Sequence, residues 1–311
     1  MPAPIFADGH RRAVLAVLAS AALFATTGTA RALGAPHDDA LTIGAGRILV
    51  GGLLLCLTVG RGLRALRRAP PRALAVGAVG VALYQVCFFA AVKRTGVAVG
   101  TVVALGSAPA FTGALAWLVG RARPSRVWYA ATGLAVAGAS TIALAGGHAH
   151  VDVAGVGLAL VTGVAYAAFT LASKRMLDTG LPREVLMAGT FGIGALLLAP
   201  LFVVGDASWV TRPRPWFAVL WLGIMPTAVA YRLFARGLAH LTSATVTTLT
   251  LAEPALAVVL AAFVLHERPG ALAVFGILGV LAGLALLVLD RPSPVERGEV
   301  VGADTRATPL A

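Results

Sequence analysis

Ten apolar stretches, each about 20 residues long and separated by short clusters of charge, proline or glycine, leave this chain few folds. They run over 13–30, 41–60, 73–92, 98–119, 127–145, 153–172, 185–204, 215–235, 242–265 and 270–289. A bilayer core about 30 Å thick is crossed by about 20 helical residues. The 311 residues could make two soluble domains, but 59% are hydrophobic and only 12% charged, with a mean hydropathy of +0.88. Soluble chains carry roughly 25% charged residues. The stretches therefore predict an all-α integral membrane protein. The segment before Arg11 is short and Val14–Ala30 leads into no small-residue cleavage site, so the first stretch reads as a span rather than a removed signal peptide. The polar residues 291–311 read as a disordered tail.

The chain contains its module twice. A shift of 145 lays residues 102–124 on 247–269 without a gap, placing Pro109 on Pro254, Leu115 on Leu260, Val119 on Val264 and Arg123–Pro124 on Arg268–Pro269. Phe89–Ala90 falls on Phe234–Ala235. The repeats are expected at 12–146 and 152–290, with five spans each. Five is odd, so the second copy enters the bilayer from the opposite side. The ten transmembrane helices then form two inverted five-helix repeats, related by a pseudo-two-fold axis in the membrane plane. Two halves that can exchange conformations favour a carrier over a channel or a membrane enzyme.

Net charge is +12, from 25 Lys and Arg against 13 Asp and Glu. No basic helix is interleaved with aromatics, so nucleic acid is not the expected partner. The excess reads as topology and as attraction to anionic lipid. With the N-terminus inside, eighteen Lys and Arg fall in inner segments and six in outer ones, while Arg47 lies within a span. Both termini are thus expected to be cytoplasmic in a multi-pass protein of the cell inner (plasma) membrane, and the five arginines at 61–72 form a topology anchor. Trp117 and Trp128 are expected at the inner interface, Trp209 and Trp216 at the outer. Cys56 and Cys87 lie in apolar runs and read as buried hydrophobes. His148, His150 and Asp152 have metal-ligand spacing but no further cluster, so a solvated loop is favoured and no metal is expected. There is no phosphate-binding loop, hence no direct use of ATP and no cofactor.

Two segments resemble the repeat of the EamA-type branch of the drug/metabolite transporter superfamily. The first is FFAAVKRTGVAVGTVVALGSAPAFTGALAWLVGRARPS, the second YRLFARGLAHLTSATVTTLTLAEPALAVVLAAFVLHERPG. The second carries the L-x-E-P element at Leu251–Pro254 and the terminal turn Glu267–Arg268–Pro269. Arg47 resembles an arginine often found in the second span. The resemblance covers residues 12–290. It implies ten helices, a central substrate cavity between the halves, and transport of small metabolites, frequently export of amino acids. The first copy departs from the pattern at Ala108, opposite Glu253, and at Ala122, opposite Glu267.

Glu253 is the sharpest candidate site residue. It lies eleven residues beyond Thr242, about 16 Å into its helix and close to the midplane. A carboxylate there costs several kcal/mol unless it is paired, hydrated or protonated, which suits it to bind substrate or carry a proton. A structural carboxylate bonded to neighbouring helices is the alternative. Pro254 and Pro109 remove helical N–H groups facing the carbonyls of Thr250 and Leu105, and can act as hinges or as packing kinks. Thr250 and Thr247 share a helix face with Glu253 and either line a cavity or bond back to their own helix. Arg47 either draws a substrate carboxylate, pairs with Glu253, or snorkels to the interface. Tyr84, Gln85, Tyr166 and Tyr231 are candidate cavity liners or packing groups. The expected function is secondary active transport of small polar metabolites by alternating access, with export of amino acids or related compounds and proton coupling through Glu253. A channel or a lipid-handling membrane protein is the alternative, and no nucleophile–base constellation points to an enzyme. Expected partners are a small-molecule substrate, a bilayer with anionic lipids, and a second copy of the chain in a homodimer.

Overall fold

The computed structural model describes residues 5–120, 123–145, 152–266 and 268–289. The expectations for Ala122, His148, His150, Glu267 and the 291–311 tail lie outside the described residues. Ten helices long and apolar enough to cross a membrane are present: Gly9–Gly34, Ala40–Arg68, Pro71–Gly96, Val99–Leu118, Arg126–Ala145, Val153–Asp178, Arg183–Val204, Pro213–His240, Ser243–Val264 and Ala271–Leu289. They are called spans 1 to 10. All ten expected stretches are found, several with longer ends. Span 2 continues past Val59 because the arginine-rich Gly60–Arg68 winds on as a 3₁₀ turn with no buried residue. Span 6 runs on to Asp178 because Lys174 finds partners inside the protein: its Nζ donates to the Leu238 carbonyl at 3.1 Å and lies 3.6 Å from the Asp178 carboxylate.

Local chemistry sets the span boundaries. Asp39 caps span 2 by accepting from the Thr42 N–H at 3.0 Å, Asp152 caps span 6 by accepting from Gly155 at 2.6 Å, and Thr242 caps span 9 by accepting from Thr245 at 3.1 Å. Spans 3 and 4 meet at Gly96, with φ 80° and ψ 163°. Only glycine takes that backbone without strain, which is how an almost continuous helix turns a corner.

The starts of spans 1 to 5, shifted by 145, fall within three residues of the starts of spans 6 to 10. The crossing of spans 5 and 10 shows the symmetry directly. A Cβ on Gly138 would lie 2.5 Å from the Val280 nitrogen and 2.6 Å from the Gly276 carbonyl; one on Gly283 would lie 2.6 Å from the Ala131 carbonyl and 2.7 Å from the Ala135 nitrogen. Under the same shift Gly138 becomes Gly283, Ala131 becomes Gly276 and Ala135 becomes Val280. Each contact therefore has its exchanged partner, as across an isologous interface. The helices run antiparallel, so the axis lies across them and the repeats are inverted. Lipid gives apolar side chains no reason to leave it, so the crossing depends on small residues that let backbones touch.

At the end opposite the Gly60–Arg68 arginines, polar contacts join the repeats. Arg212 pairs with Asp38, the Thr42 hydroxyl donates to the Asp206 carbonyl at 2.7 Å, and Trp209 Nε1 donates to the Thr42 hydroxyl at 3.1 Å. Trp209 is 1% exposed. It is a core residue of this junction, not the interface tryptophan expected from its position beside a span. Trp128 is likewise buried, whereas Trp117 and Trp216 are exposed.

Replacing Gly138 with Ala should lower the unfolding free energy by about 1–3 kcal/mol, since backbone on the facing helix cannot give way. Gly133, on the same span with nothing within 4 Å of its Cβ position, should accept Ala without loss. Thermal unfolding of the two variants in detergent, followed by cysteine-reactive dye, checks this contrast.

Candidate functional site

Span 2 carries Gly44, Gly46, Gly51 and Gly52 around Arg47, and all four mark close approaches, Gly52 to the Phe191 carbonyl at 2.7 Å from its Cβ position. A Cβ on Gly44 would lie 2.5 Å from Gln85 Nε2 on span 3. One on Gly46 would lie 3.1 Å from Trp209, and one on Gly51 would lie 2.9 Å from the Gly223 carbonyl on span 8. Span 2 thus sits tightly between its neighbours and holds Arg47 inside the bundle, 9% exposed. The snorkelling alternative is not what the fold adopts.

Arg47 opens onto a small cavity between the repeats. Five residues singled out in the sequence meet there: Arg47 from span 2, Tyr84 and Gln85 from span 3, Tyr166 from span 6 and Tyr231 from span 8. The volume is about 10 Å³, room for about one water molecule. Phe169 and Phe191 also line it, and these the sequence reading missed. Ring centroids of Phe191 and Tyr231 are 4.2 Å apart, those of Tyr84 and Tyr166 5.9 Å, and those of Phe169 and Tyr231 5.8 Å. Phe24 from span 1 closes on Tyr231 at 5.0 Å. Phe24 and Phe169 are mates under the 145 shift, as are Phe89 and Phe234, a signal that could have drawn attention to Phe169. Arg47 Nε and Gln85 Nε2 are buried without a hydrogen-bond partner.

Span 8 departs from α geometry beside this cavity. Residues Ile224–Val229 form a π-helical turn. Pro226 has no N–H to give the Leu222 carbonyl, and the Thr227 hydroxyl donates to that carbonyl instead, at 2.8 Å. The widened turn packs against Gly51 and leads into Tyr231, four residues on. Single-turn π segments recur at functional sites, and Pro226 within an apolar run was the available sequence cue.

Span 9 is broken next to Glu253. Helix Ser243–Leu249 ends, Thr250 and Leu251 form a turn, and a second helix begins at Ala252. Pro254 thereby falls in a first helical turn, where a missing N–H removes no helical bond. Pro109, its mate, stays inside a continuous helix. The Thr250 carbonyl is not freed as expected: it accepts the Glu253 N–H at 3.0 Å, because the break tightens to i→i+3 bonding. The hydroxyls of Thr247 and Thr250 bond back to their own helix, Thr247 to the Ser243 carbonyl at 3.1 Å and Thr250 to the Thr247 carbonyl at 2.8 Å. Thr250 also accepts from the Tyr166 hydroxyl at 3.4 Å, which ties span 9 to the cavity wall. Glu253 is partly buried and lies within electrostatic reach of Arg47, Tyr84, Tyr166 and Tyr231. No ion pair within 4 Å joins it to Arg47. Among the described residues no group of three His, Cys, Asp or Glu is placed to hold a metal.

A match to the EamA-like transporter family covers residues 11–144 and 153–289, one match per repeat. The chain belongs to the EamA-like transporter family. "Uncharacterized transporter YwfM" of Bacillus subtilis (strain 168) is 41% identical over 275 residues, 88% of this chain and 92% of that protein. A "Probable terminal-alkyne amino-acid exporter" of Streptantibioticus cattleyicolor is 28% identical over 257 residues, 81% of this chain and 84% of its own. A solved crystal structure superposes with a TM-score of 0.77 at 23% identity, over 89% of this chain and 97% of that one; it supports the fold alone. This EamA-family protein is therefore a multi-pass membrane transporter of a small molecule and not an enzyme.

Thr227→Val should leave the Leu222 carbonyl without a partner in a dry interior, at about 1–3 kcal/mol. The expected outcome is a lower unfolding temperature in detergent, with Thr227→Ser close to the parent protein.

Proposed function

We propose that this transporter is a secondary active exporter of small polar metabolites, amino acids or related compounds, and that it works by alternating access. The observation that carries the reading is the small cavity between the repeats. It holds a buried arginine and a ring of aromatics between two inverted repeats, yet it has room for about one water molecule. A metabolite can enter only if the halves move, and an inverted pair supplies two mirrored arrangements from one fold. The name of the Streptantibioticus cattleyicolor relative, an amino-acid exporter, favours that substrate class and direction. Both termini are assigned to the cytoplasm of a cell that holds the protein in its plasma membrane, on the eighteen-to-six distribution of Lys and Arg.

Glu253 is the proposed coupling group. It is an acidic residue in the membrane interior, set beside a helix break, and it lies within electrostatic reach of Arg47 from span 2, Tyr84 from span 3, Tyr166 from span 6 and Tyr231 from span 8. A carboxylate that is charged when open to water and neutral when enclosed carries one proton per cycle. Thr247 and Thr250 are assigned to the same coupling strip, Pro254 to the hinge beside it, and Pro109 to the matching hinge in span 4.

Flux of radiolabelled L-amino acids in proteoliposomes should follow an imposed pH gradient, and Glu253→Gln should abolish that dependence while leaving exchange. Unchanged coupling in the variant would sink the assignment. A carrier should also show trans-stimulation by its own substrate, whereas a channel should not. For orientation, a cysteine replacing Arg64 should be labelled by impermeant maleimide only after cells are opened, and one replacing Arg214 in intact cells.

A further inference from the structure

Two donors in the cavity have nothing to bond. Arg47 Nε and Gln85 Nε2 are both buried and unpartnered, at 9% and 2% residue exposure, and both side chains line the same space. They also stand on helices that pack together, spans 2 and 3. Gln85 Nε2 rests against Gly44, where a Cβ would lie only 2.5 Å away, and Gly44 stands three residues before Arg47, on the same face of span 2. A buried donor without a partner is costly, and natural interiors rarely retain one unless something else satisfies it. Here two are retained on the wall of one cavity, with glycine at the position that the amide and the Phe89 ring approach.

From this geometry we infer that Arg47 and Gln85 form a carboxylate receptor, and that the transported substrate is a small carboxylate with an apolar body. The inference rests on the transporter reading above. Both groups donate, so the complementary ligand group accepts only. A guanidinium presents a planar fork that matches a carboxylate, and the amide adds one further N–H. The remaining walls are aromatic or aliphatic, from Tyr84, Tyr166, Phe169 and Tyr231 with Ile48 and Val81, and they suit an apolar substituent rather than a second charge. Among the described residues no acidic side chain lines the cavity; Glu253 lies outside that lining, within electrostatic reach of Arg47 and the three tyrosines, so the carboxylate is the feature that the lining itself reads.

The test uses the full-length protein in detergent and in proteoliposomes, with L-leucine, 4-methylpentanoate and L-leucinamide as probes. L-leucine and 4-methylpentanoate should each raise the unfolding temperature, and L-leucinamide should bind at least tenfold more weakly. Without any probe, Gln85→Leu should raise the unfolding temperature by removing an unpaired donor at similar volume, and it should weaken L-leucine at least tenfold. Arg47→Lys should raise KM for carboxylate probes at least tenfold with kcat little changed. Equal binding of L-leucine and L-leucinamide, a lowered unfolding temperature in unliganded Gln85→Leu, or no shift with either carboxylate would each overturn the receptor. Counterflow separates the two levels of inference. Exchange of L-leucinamide as fast as L-leucine removes the receptor and leaves the transporter; absence of counterflow for every L-amino acid removes the export reading itself.

Discussion

A peptide group inside a bilayer has no water to bond, so any backbone that is not helical must be satisfied by the protein. That constraint makes three of this bundle's irregularities informative. The corner at Gly96 lies where spans 3 and 4 meet and the chain turns back. The other two lie at depth. The π turn at Pro226 is repaired by the Thr227 hydroxyl, and the break before Glu253 is repaired by an N–H that reaches back three residues. Each repaired defect stands next to a cavity wall, one leading into Tyr231 and the other into the Thr250–Tyr166 contact. On spans 8 and 9 local helix geometry has been given up where the helices approach the cavity.

The frame is symmetric and the chemistry is not. Spans 5 and 10 repeat their contacts under exchange of the halves, down to the glycines that allow them. At the site the same shift turns Arg47 into Gly192, Glu253 into Ala108 and Pro226 into Val81. One repeat supplies the cation and the other the carboxylate. A site assembled in this way needs both halves, and it cannot be read from either alone.

Much of this was legible in the sequence, and the rest failed for one physical reason. Span number, the repeat and its inversion follow from apolar length and an odd count, which depend only on the bilayer. Arg47, Tyr84, Gln85, Tyr166 and Tyr231 could be picked out because polar atoms are rare at that depth, and they do meet at one cavity. Phe191 could not, because a phenylalanine facing lipid and one facing protein have the same sequence signature; Phe169 had only its repeat mate Phe24 to mark it. Trp209 misled for the related reason that a tryptophan beside a span usually marks the interface; here Thr42 gives its N–H a partner inside the fold. For Thr247 and Thr250 the sequence left a cavity and back-bonding equally open, because spacing alone does not tell a cavity from the i−3 and i−4 carbonyls that hold them.

The junction at the end opposite the arginine cluster bears on how the proposed alternation is balanced. Arg212–Asp38 and Thr42–Asp206 join the repeats there. Exchanging the halves maps Asp38 onto Arg183 and Arg212 onto Arg67, two like charges, while Thr42 and Asp206 map onto Met187 and Arg61. The mirrored state cannot re-form this junction, so its closed end must be held by other contacts. Inverted symmetry therefore guarantees that a second arrangement has the same backbone plan, but not the same free energy. The difference between the two is set by side chains that the repeats do not share, and substrate or proton binding can shift the balance only by its own differential affinity for the two states.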